Sequence, residues 1–515
     1  MAKRKRADLA NMVGISTAES QSQRVETMLI EPRSFSQRQC TFELPQTGIL
    51  SDDVALQIQL TTKKSETEPA NVHMDLPLMA GALGLIDRCE LFFGTTLINQ
   101  CQNVPHLIQM KNCLIDQDIR DQTHSTAIGA FSGLKTVKGA GANAWGKFAL
   151  NAYNTVEDGN TKASQGILGL VETAAQQVNK LDHFRTTDSA TSTPFWCIKL
   201  AEIFPVLKQI PIPLFALKER LRVVFHWSED LAGNRAVACR TNDGSANEIP
   251  FIKGNNIVAA SCKLSCDLIY YEDEIGIPSP MVRIQEELEK GVSLVLTDYI
   301  NVISTLPAVT TTEPLEQPIS VLLGLDGQIV RNLLISTPPV PTFGSDPSVP
   351  ANRILGNYLS KASNAGTTLQ VSINNQNVFP SPLNTAAKLY NEFSQIEDIP
   401  LKINRGLYSA VGQVTSSTTG YVTDISQSAF NADRFTFGNP DSQLNFSLNY
   451  LGVNLAKDAG ANYVGNGVQV GRQPVIVTLN RTRTTEDTGQ LRILIFAEVE
   501  RMMMIKSGNI FMSGQ

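Results

Sequence analysis

The segment GANAWGKF at 141–148 is the chain's nearest approach to an enzyme motif, because Gly141, Gly146 and Lys147 reproduce the glycines and lysine of a phosphate-binding loop. Such a loop aims backbone N–H groups at phosphate oxygens and holds magnesium through the hydroxyl that follows the lysine. Phe148 has no hydroxyl, and the flanks KTVKGA and FALNAYN supply neither a buried strand nor a strong helix. The five histidines, His73, His106, His124, His183 and His226, fall in no H-E-x-x-H or similar metal spacing. No G-x-S-x-G elbow presents a serine nucleophile. The acidic runs Glu272-Asp273-Glu274 and Glu286, Glu287, Glu289 contain carboxylates that acid–base chemistry or calcium could use, but in a charged linker they read as a solvated face. No catalytic residue, metal ligand or cofactor site is expected.

The cysteines point the same way. All eight lie between Cys40 and Cys266, and none forms a C-x2-C pair of the zinc type. Cys262 and Cys266, four apart in the alternating segment SCKLSCDLIYY, stand roughly 13 Å apart along a strand, too far for a disulfide. They read as reduced, inward-facing small hydrophobes.

A glycine-rich stretch, LMAGALGLIDRCELFFGTTLI at 78–98, admits three readings. A membrane span is excluded by Asp87, Arg88 and Glu90 in its middle. A dinucleotide loop is excluded by the spacing of Gly81, Gly84 and Gly94. What remains is a strand through LIDRCELFF, a turn at Gly94-Thr95-Thr96 and a return strand from Leu97, followed by an amphipathic helix carrying Val104, Leu107, Ile108 and Leu114. The same order recurs in LQVSINNQNVFPSPLNTAAKLYNEF at 369–393: a strand with Leu369, Val371 and Ile373, a turn at Asn374-Asn375-Gln376, a return through Val378 and Phe379, and a helix capped by Asn384. Two hairpin-plus-helix units suggest a duplicated domain.

The elements around these units are mostly strands. RQCTFELP, VALQIQLTT, PFWCIKLAEIF, LKERLRVVFHW and IVAASCKLSCDLIYY lie in the first half; VSLVLTDYINVIST, PISVLLGL, LNFSLNYLGV, PVIVTLNRT and QLRILIFAEVERMMMI lie in the second. EDEIGIPSPMVRIQEELEKG marks a linker with a short charged helix. The expected layout is an N-terminal arm at 1–34, one β-domain at 35–272, the linker at 273–290 and a second β-domain at 291–515. Long Gly/Asn/Ser/Thr-rich interruptions, the largest from about 120 to 180, read as projecting loops that partner chains support.

Only 18% of the 515 residues are charged against 42% hydrophobic, fewer charges than the roughly 25% usual in globular chains, as in a protein whose surface meets other proteins. The net charge of -6 excludes a surface that coats nucleic acid all over. The basic run Lys3, Arg4, Lys5, Arg6 therefore reads either as a solvated tail or nuclear address, or as an arm lying near nucleic acid. Asp8, Asn11 and Glu19 interrupt any apolar region after it, so no secretory signal is expected and the protein is expected to stay in the cytosol or nucleus.

LMAGALGLIDRCELFFGTTLINQ with its short helix, IPIPLFALKERLRVVFHW, and LQVSINNQNVFPSPLNTAAKLYNEF together resemble the double jelly-roll major capsid proteins of the adenovirus hexon-like lineage, most of all those of virophages and polinton-like viruses. The likeness covers most of the chain in order of elements and little of it in strict sequence. It implies an all-β fold of two tandem eight-stranded jelly rolls with long loops and short helices, a homotrimer of pseudo-hexagonal outline, and an icosahedral capsid of a double-stranded DNA virus. It also implies neighbouring capsid trimers, penton proteins and minor capsid proteins as partners, and a place in the virion. On the family's pattern Lys3 to Arg6 face the particle interior and touch packaged DNA non-specifically. Met512-Ser513-Gly514-Gln515 fits the large-aliphatic, any, Gly, any pattern that adenovirus-type maturation proteases favour, which implies a processed end; an ordinary terminus is the competing reading. The rival function is a jelly-roll ligand-binding module, such as a viral spike or lectin-like protein, with a pocket lined by Trp145, Trp196 or Trp227. An enzyme on a β-sandwich comes third.

Overall fold

The protein is described by a computed structural model over residues 23–36, 38–62, 72–75, 81–112, 127–128, 137–138, 145–147, 185–186, 195–209, 211–227, 238–241, 257–271, 280–309, 315–338, 367–396, 408–412, 444–448, 450–456, 467–472, 474–483 and 490–512. Alternating segments of the first half become the strands β1 (Gln23–Ile30), β2 (Gln39–Glu43), β3 (Ile49–Thr62), β4 (Ile86–Phe93), β5 (Thr96–Gln102), β6 (Phe195–Lys199), β7 (Leu221–Trp227) and β8 (Ile257–Tyr271), with the helices α1 (Val104–Asn112) and α2 (Pro205–Gln209) between them. They form two antiparallel sheets, β1-β8-β3-β6 and β2-β7-β4-β5.

After α3 (Pro280–Lys290), the second half supplies β9 (Val292–Leu306), β10 (Leu315–Leu323), β11 (Ile329–Ser336), β12 (Thr368–Ile373), β13 (Gln376–Asn377), the helix α4 (Ala386–Ser394), β14 (Tyr450–Asn454), β15 (Val475–Arg483), β16 (Leu491–Lys506) and β17 (Asn509–Met512). Its main sheets run β9-β16-β11-β14 and β10-β15-β12-β13, with β17 added beside β16. Adding eight to every strand number of the first half reproduces the second. Each half is an eight-stranded jelly roll.

Alternation along a strand decides which side chains meet inside each roll. On β8, Cys262, Leu264, Cys266 and Leu268 are buried, while Ser261 and Lys263, on either side of Cys262, are exposed. Cys262 and Cys266 are free thiols, as expected. Cys262 lies against Cys40 of the opposite sheet, and the hydrogen bond between them, together with burial, pushes its thiol pKa up, so it stays protonated. Phe42 and Phe225 meet edge to face at 6.0 Å in the same core. In α3, Ile284 and Leu288 point inward and Glu286 and Glu289 into solvent, the solvated face anticipated for that acidic run.

Both anticipated hairpins are present, each one residue tighter than expected. The first turns at Gly94-Thr95, and Thr96 already belongs to β5. Gly94 has φ +54, and a Cβ there would meet the Glu219 carboxylate. The second turns at Asn374-Asn375, both with positive φ, and Gln376 begins β13. The cap of α4 is Thr385, whose Oγ1 accepts the Lys388 N–H, while Asn384 accepts from the Lys388 ammonium instead.

Other segments differ more. Residues 23–30, read as part of the N-terminal arm, pair along their whole length with β8. Ile329–Ser336 and Asn509–Met512 are strands that the alternation did not reveal. PFWCIKLAEIF is strand only to Lys199, then turns through a 3-10 segment at Leu200–Glu202. LNFSLNYLGV is two strands rather than one: Leu444–Leu448 pairs with Tyr408–Gly412, whereas β14 pairs with β11. Among the described residues no helix is long and apolar enough to cross a membrane.

Candidate assembly interface

The strand β16 is buried on both faces. Ile493, Ile495, Ala497 and Val499 point into the second roll, and the alternate residues Leu494 and Phe496 are equally buried. Leu494, Phe496 and their neighbour Leu334 on β11 lie on the outer face of the sheet, where α1 of the first roll packs against β11 and where Arg492 acts electrostatically on His106 of α1. Helix α1 reads VPHLIQMKN and is buried at Val104, His106, Leu107, Ile108 and Met110, with elements of both rolls packed against it. Burial, with the nearby Arg492 charge, lowers the His106 pKa to about 3, so the imidazole stays neutral.

Polar groups fasten the same joint at β9. The Asn99 side chain on β5 donates to Asp298 Oδ1 at 2.5 Å, the Tyr299 N–H donates to the same oxygen at 2.8 Å, and Arg501 Nη1 lies 3.0 Å from Asp298 Oδ2. Burial pushes the Asp298 carboxyl up to about 6 in spite of Arg501. A few residues away, Gln209 of α2 accepts the Thr297 N–H and donates to the Thr297 hydroxyl, and the Lys111 ammonium sits 5.1 Å from the Tyr299 ring centroid. Gln209 of the other roll thus satisfies a backbone donor of β9, the Thr297 N–H, that a bare sheet edge leaves open. Lys218 N–H donates to Gly508 O at the tip of the β16–β17 hairpin, a further tie between the rolls.

Among the described residues, the corresponding face of the first roll has no such cover. Val25 and Leu29 on β1 are 57% and 60% exposed, and Phe195 on β6 is 55% exposed. Around them stand ion pairs and polar contacts: Lys263 with Glu31 at 2.6 Å, Lys199 with Asp53 at 3.4 Å, and Thr27 Oγ1 donating to Asp267 at 2.6 Å.

The residues singled out for chemistry fall elsewhere. Trp145–Lys147, from the phosphate-loop-like segment, form a short strand paired with Val137–Lys138, where a phosphate loop would lead into a helix. Trp196 and Trp227, two of the three tryptophans proposed for a ligand pocket, are core residues only 1% and 6% exposed, and Trp227 Nε1 donates to Ser36 O. His226 lies 3.1 Å from both Glu90 and Arg88 on the neighbouring strand β4. Gln100 also donates to Glu90, so this carboxylate is engaged in a cross-strand network. Among the described residues no group of three or more His, Cys, Asp or Glu side chains is placed to hold a metal. Lys3, Arg4, Lys5 and Arg6 lie outside the described residues, as do Ser513, Gly514 and Gln515; Met512 ends β17 opposite Met503. The joint residues Asn99, Gln209, Asp298 and Arg501 were missed from the sequence. The one available signal was Asp298 itself, a lone acid in the apolar run VSLVLTDYINVIST.

No protein-family model matches the chain, and no curated protein does. Solved structures do match in fold. The Sputnik virophage structure obtained by cryo-EM superposes with a TM-score of 0.55 at 12% identity, covering 96% of this chain and 89% of that one. PBCV-1 VP54, fitted into a reconstruction of Sputnik, gives 0.51 at 12% identity over 96% and 98%. The mavirus major capsid protein gives 0.50 at 10% identity over 95% and 90%. With the strand order repeated from one half to the other and a buried joint between the halves, the chain has the double jelly-roll fold found in these viral proteins.

Proposed function

We propose that this protein is a major capsid protein, a non-enzymatic building block that trimerises into a pseudo-hexagonal unit and tiles the icosahedral shell of a double-stranded DNA virus. The observation that carries this reading is the pair of rolls with one strand order, joined through a buried contact, whose fold, over nearly the whole chain, resembles that of viral capsid proteins. Burial of Trp196 and Trp227 in the core weighs against the ligand-binding alternative. In the capsid, Lys3 to Arg6 reach inward to packaged DNA, and penton and minor capsid proteins complete the shell.

Light scattering on the purified native protein, followed by negative-stain imaging of the same fraction, tests the reading. A mass near three times 56.2 kDa, seen as hexagonal blocks or closed particles, is the expected result. A monomer or dimer at high concentration would overturn it and return attention to ligand binding through the loops. Deleting residues 2 to 6 is expected to leave the trimer intact and to reduce packaged DNA.

A further inference from the structure

Two of the cysteines face each other directly. Cys89 on β4 and Cys101 on β5 are partners in the register of the hairpin, so their side chains leave the sheet on the same side, and both are buried free thiols. Opposed residues on antiparallel strands hold their Cα atoms about 4.5 or 5.5 Å apart, inside the roughly 4.4–6.8 Å that a disulfide spans. Among the described residues no other two cysteines share a register position. Cys40 and Cys262 touch only across the two sheets.

The pair sits beside the joint between the rolls. β5 is the last strand of its sheet, and β9 of the second roll lies beyond it, fastened by the Asn99–Asp298 hydrogen bond. The Lys111 and Asp298 charges both act on the Cys101 thiol. Burial holds both thiols protonated, Cys89 well above the usual thiol range and Cys101 pushed up to about 12, and a protonated thiol is a poor nucleophile. Chemistry at the pair therefore waits for β5 to lift from its sheet, a local opening that costs less than unfolding the roll.

We propose that Cys89 and Cys101 form a reversible redox site, a dithiol that a small disulfide such as glutathione disulfide closes into a cross-strand bridge. When β5 lifts, the Cys101 thiolate attacks one sulfur of glutathione disulfide and expels a glutathione thiolate; the Cys89 thiolate then attacks the Cys101 sulfur and expels the second. The protein loses two S–H bonds and gains one S–S bond, and the two protons and two electrons leave on two molecules of glutathione. Cys101 reacts first because β5 is the outer strand, whereas β4 is flanked by β7 and β5. Opposed Cβ atoms on paired strands stand about 4.5–5.5 Å apart, wider than the roughly 3.5–4.5 Å of a relaxed disulfide. The bridge must draw the two strands together, and that strain makes it easier to reduce than a structural disulfide. The site stands on the hairpin register and lies beyond the capsid reading, which gives the chain no covalent chemistry.

The test uses the folded, full-length wild-type protein. It is incubated with glutathione disulfide, blocked with N-ethylmaleimide in denaturant, and digested for mass spectrometry. The expected product is a pair of peptides joined through Cys89 and Cys101, lighter by two hydrogens than the two reduced peptides, with the thiols titrated in denaturant falling by two from eight. Reduced glutathione, added to the oxidised folded protein, is expected to restore all eight. Maleimide on both Cys89 and Cys101 after oxidation, or a link from Cys40 to Cys262 in place of theirs, overturns the site. A bridge that reduced glutathione leaves intact overturns its reversibility. The oligomeric mass of the wild-type chain decides the capsid reading separately, so either can fail without the other.

Discussion

The outer faces of the sheets β1-β8-β3-β6 and β9-β16-β11-β14 share a strand order and differ in what covers them. The second carries Leu334, Leu494 and Phe496, buried where the first roll packs on it, with Val295, Ile303 and Met502 exposed beyond that cover; the first carries Val25, Leu29, Lys263 and Asp267 and, among the described residues, is exposed around them. One topology therefore holds two solutions to the same problem. Where the cover is part of the same chain and always present, apolar side chains fill the face. Where the chain must first exist alone in water, charges and hydroxyls dilute the apolar anchors, which keeps an exposed face from adhering at random.

The strongest way to break this comparison is Phe496→Ala against Val25→Ala. Deleting the buried ring should cost about 3–5 kcal/mol, from lost transfer free energy and the cavity left behind, while the exposed truncation should change monomer stability by no more than about 0.5 kcal/mol. Urea unfolding of both variants checks it, and equal costs would mean that the two faces are not differently covered.

A somewhat smaller effect concerns Asp298, whose carboxyl is held near 6 against an unfolded value of roughly 3.9. Because the folded pKa is the higher one, the protonated group favours the folded state: its contribution is fully present below about pH 4 and is lost as pH rises through about 6. Two pH units correspond to on the order of 3 kcal/mol. The stability of wild type relative to Asp298→Asn should therefore be highest near pH 4 and fall by about that amount by pH 7. A gap constant across this range would show that the joint does not desolvate Asp298. At the small end, Thr385→Ala removes the Lys388 N–H cap of α4 and should cost about 1 kcal/mol in thermal or denaturant unfolding.

Legibility followed the physics of each strand. The 257–271 segment was read to the residue, because one face is core and the other is not, so hydrophobicity alternates. β11, IVRNLLIS, escaped because a central strand is covered on both sides and shows a run instead of an alternation. β1, QRVETMLI, escaped for the opposite reason: an edge strand open to solvent is too polar to stand out beside the N-terminal segment. The hairpins were visible through Gly94 and Asn374-Asn375, whose backbones need left-handed φ. The joint was not visible, since Asn99, Gln209, Asp298 and Arg501 are brought together from four distant segments and no local spacing encodes that meeting.

Helix α3 packs against both β8 and β16, and the Ser507 N–H donates to Leu288 O within it, so the connection between the rolls is itself folded onto the pair. A tether of this kind sets the local concentration of one roll around the other at a value that dilution cannot change. The joint within the chain should therefore survive in a single molecule, whereas every contact between chains answers to how many copies the cell has made. Under the proposed capsid role, shell growth would have a threshold that folding lacks, and finished subunits would accumulate before any of them begins to build.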